Sequence, residues 1–162
     1  MRIANIIQLS VVDGPDIRLP IFFQGCQHNC KGCHNPDTHK VDGGYEIDVK
    51  SLANIVLMYL DNNPLIKGVT YTGGEPLLQA YNLETLTDLI KEAKPEINFM
   101  LYTGFMLKDA YVIYYSLVSK MDYVVDGRYV EELRDISLKF RGSSNQRIYQ
   151  NVFGTFVDIT NA

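Results

Sequence analysis

The sequence lacks any long run of basic residues, and its 162 residues carry a formal net charge of −4. A surface built to hold a phosphate backbone is not expected, which sets nucleic acid aside as a partner. Long apolar runs are missing too. The N-terminal stretch MRIANIIQLSVV contains one basic residue and is interrupted by Asn5 and Gln8. It reads neither as a signal peptide nor as a transmembrane span, so no membrane association is expected. No internal repeat, low-complexity tract or long linker divides the chain, and residues 1–162 read as a single domain. With 46% hydrophobic and 21% charged residues, that domain can bury a sizeable core. Cysteine is scarce: there are three, an odd number that cannot close into intramolecular disulfides alone. Exposed thiols of this kind suit a reducing cytoplasm.

What cysteine there is stands in one place. The stretch FQGCQHNCKGCHNP, residues 23–36, holds Cys26, Cys30 and Cys33 within eight positions. Sulfurs three and four residues apart on a tight loop are placed to converge on a common centre. Thiolates spaced C-x3-C-x2-C can bind three irons of a [4Fe-4S] cluster, and without a fourth cysteine one iron stays open to a small molecule. That would turn an electron-transfer cofactor into a catalytic one. The rival is structural zinc in a Cys3His site, with His28, His34 or His39 as the nitrogen ligand, which would make the protein a non-enzymatic interaction module. A nucleophilic cysteine fits less well, since it requires one activated thiol and not three together.

Two periodicities alternate around this loop. Residues 17–25, 67–74, 97–104 and 122–127 are short, rich in β-branched and aromatic residues, and each ends at glycine, the pattern of strands. Residues 50–61 place Leu52, Ile55, Val56, Tyr59 and Leu60 on one helical face, and residues 83–93 do the same with Leu83, Leu86, Leu89, Ile90 and Ala93. Asn82 is a candidate N-cap and Pro95 a stop. A third helix is expected over 107–118. Strands and helices alternating in this way predict parallel βαβ units. A full eight-unit barrel takes about 250 residues, so the expected fold is α/β, an incomplete, open barrel with mostly parallel strands.

Ligands in such folds sit outside the carboxyl ends of the strands, where Gly73, Gly74 and Glu75 of YTGGEP, Thr103 and Asp126 fall. Lacking Cβ atoms, Gly73 and Gly74 let the backbone approach a ligand and offer carbonyls to an ammonium group, with Glu75 as the matching charge. In isolation GGEP also reads as a strand-to-helix turn with an exposed glutamate; its position after the cysteine loop favours the ligand reading. Thr103 and Asp126 read as ligand contacts or as helix caps. Arg128, Arg141 and Arg147 read as receptors for a partner's carboxylates or as solvated surface cations. The eleven tyrosines fall mostly at core-like spacing and read as packing.

The order of these motifs, C-x3-C-x2-C just after the first strand and then a strand ending YTGGEP, resembles the radical S-adenosylmethionine superfamily. The resemblance is closer to the activating enzymes of glycyl radical enzymes, in the branch acting on the anaerobic ribonucleoside-triphosphate reductase. It spans nearly the whole chain: VVDGPDIR (11–18), GCHNP (32–36), YTGGEP (71–76), LYTGF (101–105), DYVVDGRY (122–129) and FRGSSNQR (140–147). It implies an open barrel of the radical S-adenosylmethionine type and a [4Fe-4S] cluster held by Cys26, Cys30 and Cys33. It implies S-adenosyl-L-methionine chelating the open iron, and reductive cleavage of that cofactor to methionine and a 5′-deoxyadenosyl radical. Cofactor contacts are implied at Gly32, Cys33, His34, Gly73, Gly74, Glu75, Thr103 and Asp126. Two protein partners follow, the large glycyl radical subunit of the reductase and a one-electron donor such as flavodoxin. An activase of the pyruvate formate-lyase type is the alternative, although that activator is appreciably longer. Two positions depart from the pattern. Asp16 stands where the family usually has glycine after DGP, and His34 stands where many relatives carry an aromatic residue, such as tyrosine, that shields the cofactor's adenine.

Overall fold

In chain order, the computed structural model, which describes residues 1–162, begins with β1 (Arg2–Ile6), β2 (Arg18–Phe23), β3 (Tyr45–Glu46) and α1 (Val49–Asn62). It continues with β4 (Gly68–Gly73), α2 (Ala80–Ala93), β5 (Asn98–Tyr102), α3 (Leu107–Ile113) and α4 (Tyr115–Val118). The chain ends with β6 (Tyr123–Asp126), β7 (Arg147–Val152) and β8 (Thr155–Asp158). All eight strands form one sheet in the order β3-β1-β2-β4-β5-β6-β7-β8, and it does not close on itself.

The four strands expected from the sequence are the centre of that sheet, with β2, β4, β5 and β6 paired in parallel. The expectation of mostly parallel strands is corrected. Antiparallel strands flank the parallel core on both sides, through β1–β2 and β1–β3 at one end and β6–β7 and β7–β8 at the other. With three parallel and four antiparallel pairings the sheet is mixed and open, an α/β fold in which each β-α-β crossover needs a helix but each flanking strand returns through a loop or turn.

The helices form where the apolar spacing places them. Asp48 caps α1 by accepting from the Ser51 amide at 2.9 Å, and Leu52, Ala53, Val56 and Leu60 are buried. α2 buries Leu83, Leu86, Thr87 and Ile90. Asn82 is not its cap. A 3-10 turn at Pro76–Gln79 runs directly into α2, so the helix starts three residues earlier, at Ala80, with Asn82 inside it. Pro95 follows the last cap residue, Lys94, as expected of a stop. The third helix breaks at Tyr114 (φ −119°, ψ 36°) into α3 and α4.

Alternation along the strands divides the side chains between two faces. Leu19, Ile21, Phe23, Val69, Tyr71, Phe99, Leu101 and Val124 belong to the main core with the helices, where the Tyr71 hydroxyl meets Thr87 of α2 at 2.8 Å. Met100, Val125 and Ile148 form a second apolar group, against which Tyr102, Tyr123, Phe140 and Ile159 pack. Arg18 is fully buried without a carboxylate partner. Its guanidinium donates to Thr70 Oγ1 at 2.7 Å, Asn98 Oδ1 at 2.6 Å and the carbonyls of Pro15 and Val69, and burial lowers its pKa to about 10. These bonds tie the VVDGPDIR segment to the strands. Asp16 takes the turn that glycine makes in the resembling family, at φ 63°, a left-handed conformation that Asp tolerates better than most residues. No helix is long and apolar enough to cross a membrane.

Candidate functional site

The carboxyl ends of the four parallel strands open onto one cavity of about 450 Å³. Its wall contains Cys26, Cys30 and Cys33, all three histidines of the chain, and Gly73, Gly74, Glu75 and Thr103. Residues as distant in sequence as Cys26, Gly73 and Thr103 are thus brought together by strand order alone, because parallel pairing aligns the ends of β2, β4 and β5.

The cysteine loop is held from below by backbone bonds. Gly25 N–H donates to the Thr38 carbonyl at 2.7 Å and Cys26 N–H to the His39 carbonyl at 3.1 Å, so the loop closes on itself over a 3-10 turn at Pro36–Thr38. Asn29 (φ 50°) and Gly32 (φ 74°) make its bends. The three thiols are half-buried and unpaired. Burial pushes the Cys26 thiol up, while the backbone amides of His28 and Asn29 work in the opposite direction. Cys33 Sγ accepts from the Asn35 amide at 3.4 Å. A tetrahedral zinc site needs four converging donors, and no three His, Cys, Asp or Glu side chains form a finished metal site here, the three cysteines included. A cubane takes each thiolate on a different iron, and all three cysteines line this one cavity.

The GGEP segment is more deeply built in than a turn with an exposed glutamate. Glu75 is fully buried. Its Oε1 accepts from the Leu77 amide (3.1 Å) and Thr103 Oγ1 (2.9 Å), and its Oε2 from the Gly104 amide (2.7 Å) and from His28 Nε2 (2.8 Å). An ionised carboxylate offers about four lone-pair positions, and all are taken by the chain. Gly73, at φ 102°, lies against Phe23, whose carbonyl oxygen would stand 2.6 Å from an added Cβ. An added Cβ at Gly74 would meet the backbone of Gly25 and Thr38. These glycines bring strand tip and cluster loop into backbone contact.

Thr103 is at the cavity wall but spends its hydroxyl on Glu75 and on the Phe105 amide. Asp126 is buried and is not among the residues lining the cavity. Its Oδ2 accepts from the Leu107 amide at 2.7 Å, capping α3, while Oδ1 is buried without a partner. Burial raises the Asp126 carboxyl. The fold thus binds that proton more tightly than the unfolded chain, and the group's contribution to stability falls as pH rises through the carboxylate range. Asp126→Asn, which keeps the cap, is expected to match or exceed the wild-type unfolding temperature at neutral pH and to lose this pH slope. Asp126→Ala is expected to cost about 1–2 kcal/mol. Thermal melts of both variants at pH 5 and pH 8 measure the difference; a destabilised Asn variant contradicts the capping assignment.

The opposite wall of the cavity is formed by the segment between β6 and β7, of which the sequence singled out Arg128 and Arg141 as partner contacts but not the stretch from Arg134 to Leu138. Tyr129, Arg134, Asp135, Ile136, Leu138 and Phe140 line it. Tyr129 packs at a 50° tilt against the exposed ring of His34, with centroids 5.0 Å apart, and donates to Glu131 Oε2 at 2.5 Å. The Glu131 carboxylate in turn occupies the space over Gly32. Tyr129 thus adds a second aromatic ring beside position 34. The sequence signals for Tyr129 were its place directly after the DYVVDG strand tip and its inclusion in the motif DYVVDGRY. The three arginines separate. Arg128 is exposed at the cavity, Arg141 donates through Nη1 to the carbonyls of Ser144 and Gln146, and Arg147 pairs with Asp158 across the β7–β8 hairpin at 3.0 Å.

Comparison with known proteins gives the chain's family. Residues 12–149 match the family model described as 4Fe-4S single cluster domain. A Vibrio cholerae protein is 32% identical over 145 residues, covering 88% of this chain and 93% of its own length. An Escherichia coli K12 protein is 30% identical over 145 residues, covering 87% and 93%. A protein of Enterobacteria phage T4 is 31% identical over 159 residues, covering 96% and 98%. Each of the three bears the name anaerobic ribonucleoside-triphosphate reductase-activating protein. With three cysteines on one cavity wall and similarity running through almost the full length, the chain belongs to the 4Fe-4S single cluster family, among the anaerobic ribonucleoside-triphosphate reductase-activating proteins.

Proposed function

We propose that this protein, with residues 1–162 working as one domain, is a radical S-adenosylmethionine activase that generates a glycyl radical on an anaerobic ribonucleoside-triphosphate reductase. The observation that carries the reading is the sharing of one cavity by Cys26, Cys30, Cys33 and the strand tips Gly73, Gly74 and Thr103. When bound, the cluster, reduced by a donor such as flavodoxin, supplies the one electron that splits the sulfonium of S-adenosyl-L-methionine into methionine and a 5′-deoxyadenosyl radical, which takes a hydrogen atom from the glycine.

The chain's residues perform the holding and shielding. Cys26, Cys30 and Cys33 would supply the thiolates. Gly73 and Gly74 keep the second strand tip within backbone contact of the cysteine loop, so cluster and cofactor are registered by one rigid unit. Tyr129 over His34 narrows the opposite side and limits water, which a reactive radical requires. Val12 and Ile136 line the cavity yet are 71% and 89% exposed. An apolar mouth open on one side suits a protein substrate that completes the enclosure.

Anaerobic reconstitution tests the proposal. About four irons and four sulfides per chain are expected, with 5′-deoxyadenosine formed when dithionite and S-adenosyl-L-methionine are added, and a glycyl radical signal in electron paramagnetic resonance only when the reductase is present. A colourless protein with stoichiometric zinc, or a reconstituted cluster that yields no 5′-deoxyadenosine, overturns it.

A further inference from the structure

His28 lies between Cys26 and Cys30, and the cluster chemistry assigns it no part. Its side chain is only 4% exposed, although it belongs to a surface loop. Three contacts hold the ring. Nε2 meets Glu75 Oε2 at 2.8 Å, Phe105 packs edge-on with centroids 5.0 Å apart, and Gly104 leaves space for the ring, since an added Cβ there would stand 2.5 Å from His28 Cδ2. The Nε2–Oε2 contact places one ring nitrogen on the carboxylate. Nδ1 is then buried with no partner in the chain, a cost carried where neighbouring groups dictate the ring's place.

The partner of this histidine is the residue that joins the other strand tips. Glu75 follows β4, and through Thr103 Oγ1 and the Gly104 amide it grips the end of β5. His28 adds the cysteine loop after β2 to the same carboxylate. No other side chain contact recorded at the site connects the loop between the first two cysteines to both of those tips.

Resting on the function proposed above, we infer that His28 is a positioning residue: through Glu75 it sets the register of the cysteine loop against the strand tips that receive S-adenosyl-L-methionine. It acts on cofactor affinity and on the cluster's surroundings, and it ligates no metal. Groups that orient a metal site from outside its ligand set change affinity or activity by about 10–100-fold when removed.

Wild type, His28→Leu and His28→Gln are compared after anaerobic reconstitution, by iron content, thermal unfolding, and titration of S-adenosyl-L-methionine followed by electron paramagnetic resonance of the reduced cluster. All three are expected to hold about four irons per chain and to unfold at similar temperatures. His28→Leu is expected to need about tenfold more S-adenosyl-L-methionine for half the spectral change. His28→Gln, whose amide nitrogen can reach the place of Nε2, is expected to recover most of that loss. A wild type whose spectrum ignores S-adenosyl-L-methionine overturns both the proposed function and this inference. A responding wild type with an unshifted Leu variant overturns the inference alone. So does iron loss or unfolding of the Leu variant, which would make His28 a ligand or a core residue, and so does a Gln variant as weak as Leu.

Discussion

Replacing any one of Cys26, Cys30 or Cys33 by alanine is expected to strip iron from the protein and to lower 5′-deoxyadenosine formation by more than about a hundredfold, beyond the range for removing a group outside the ligand set. The chain has no other cysteine to substitute. The histidines that share the cavity offer little compensation: His28 is bound to Glu75 and His34 is packed against Tyr129. A cluster left with two attachment points is poorly retained, since each thiolate holds a separate iron. Iron and sulfide analysis beside chromatography of 5′-deoxyadenosine checks the result, and undiminished product from any of the three variants removes that cysteine from the ligand set. His39→Ala serves as control. His39 touches the cavity, but its recorded tie to the loop is its backbone carbonyl, which accepts from Cys26 and survives the substitution; its iron content is expected to be normal.

Gly74→Val is expected to lower iron retention and the unfolding temperature together, the latter by roughly 5–10 °C. A glycine placed only against a ligand would predict weak cofactor binding with normal iron. The structure supplies a different neighbour. An added Cβ would stand 2.8 Å from the Gly25 carbonyl carbon and 2.9 Å from the Thr38 oxygen, both backbone atoms at the base of the cysteine loop. Backbone cannot rotate aside as a side chain can, so the loop must shift, and the bonds from Gly25 to Thr38 and from Glu75 to Gly25 shift with it. Metal analysis and a thermal melt of the same preparation measure the two effects. Normal iron and an unchanged melt, with loss confined to cofactor affinity, would return Gly74 to a purely ligand-facing role.

Arg141 illustrates how a surface reading changes once partners are visible. As a free cation it would be a docking contact for the reductase, but its Nη1 is engaged by two carbonyls of its own loop. Truncation there acts first on the 140–146 segment that walls the cavity. Arg128, exposed at the same mouth, is the better position from which to alter partner binding without disturbing the site.

The cysteine spacing, the two long helix faces and the four strand tips were legible in the sequence because each depends on neighbours fewer than about eight positions away: helical periodicity, strand composition and loop spacing are local properties. The flanking strands were not. β1 carries Asn5 and an irregular register between Ile3 and Asn5, and β7 mixes Arg147, Gln150 and Asn151 with its apolar residues, so neither shows clean alternation. Glu75, Asp126 and His28 were each visible as chemistry but not as geometry. Glu75 is saturated by donors that include His28, 47 positions before it, and Gly104, 29 after it. Asp126 reaches back 19 positions to cap α3 and does not line the cavity, and Tyr129 packs against a histidine 95 positions away. The residues that carry the chemistry are determined by the sequence alone. Which of them face the cavity, and which are spent on holding it, is decided by tertiary structure, because a buried polar group takes whatever partner the packing of distant segments brings within hydrogen-bond reach.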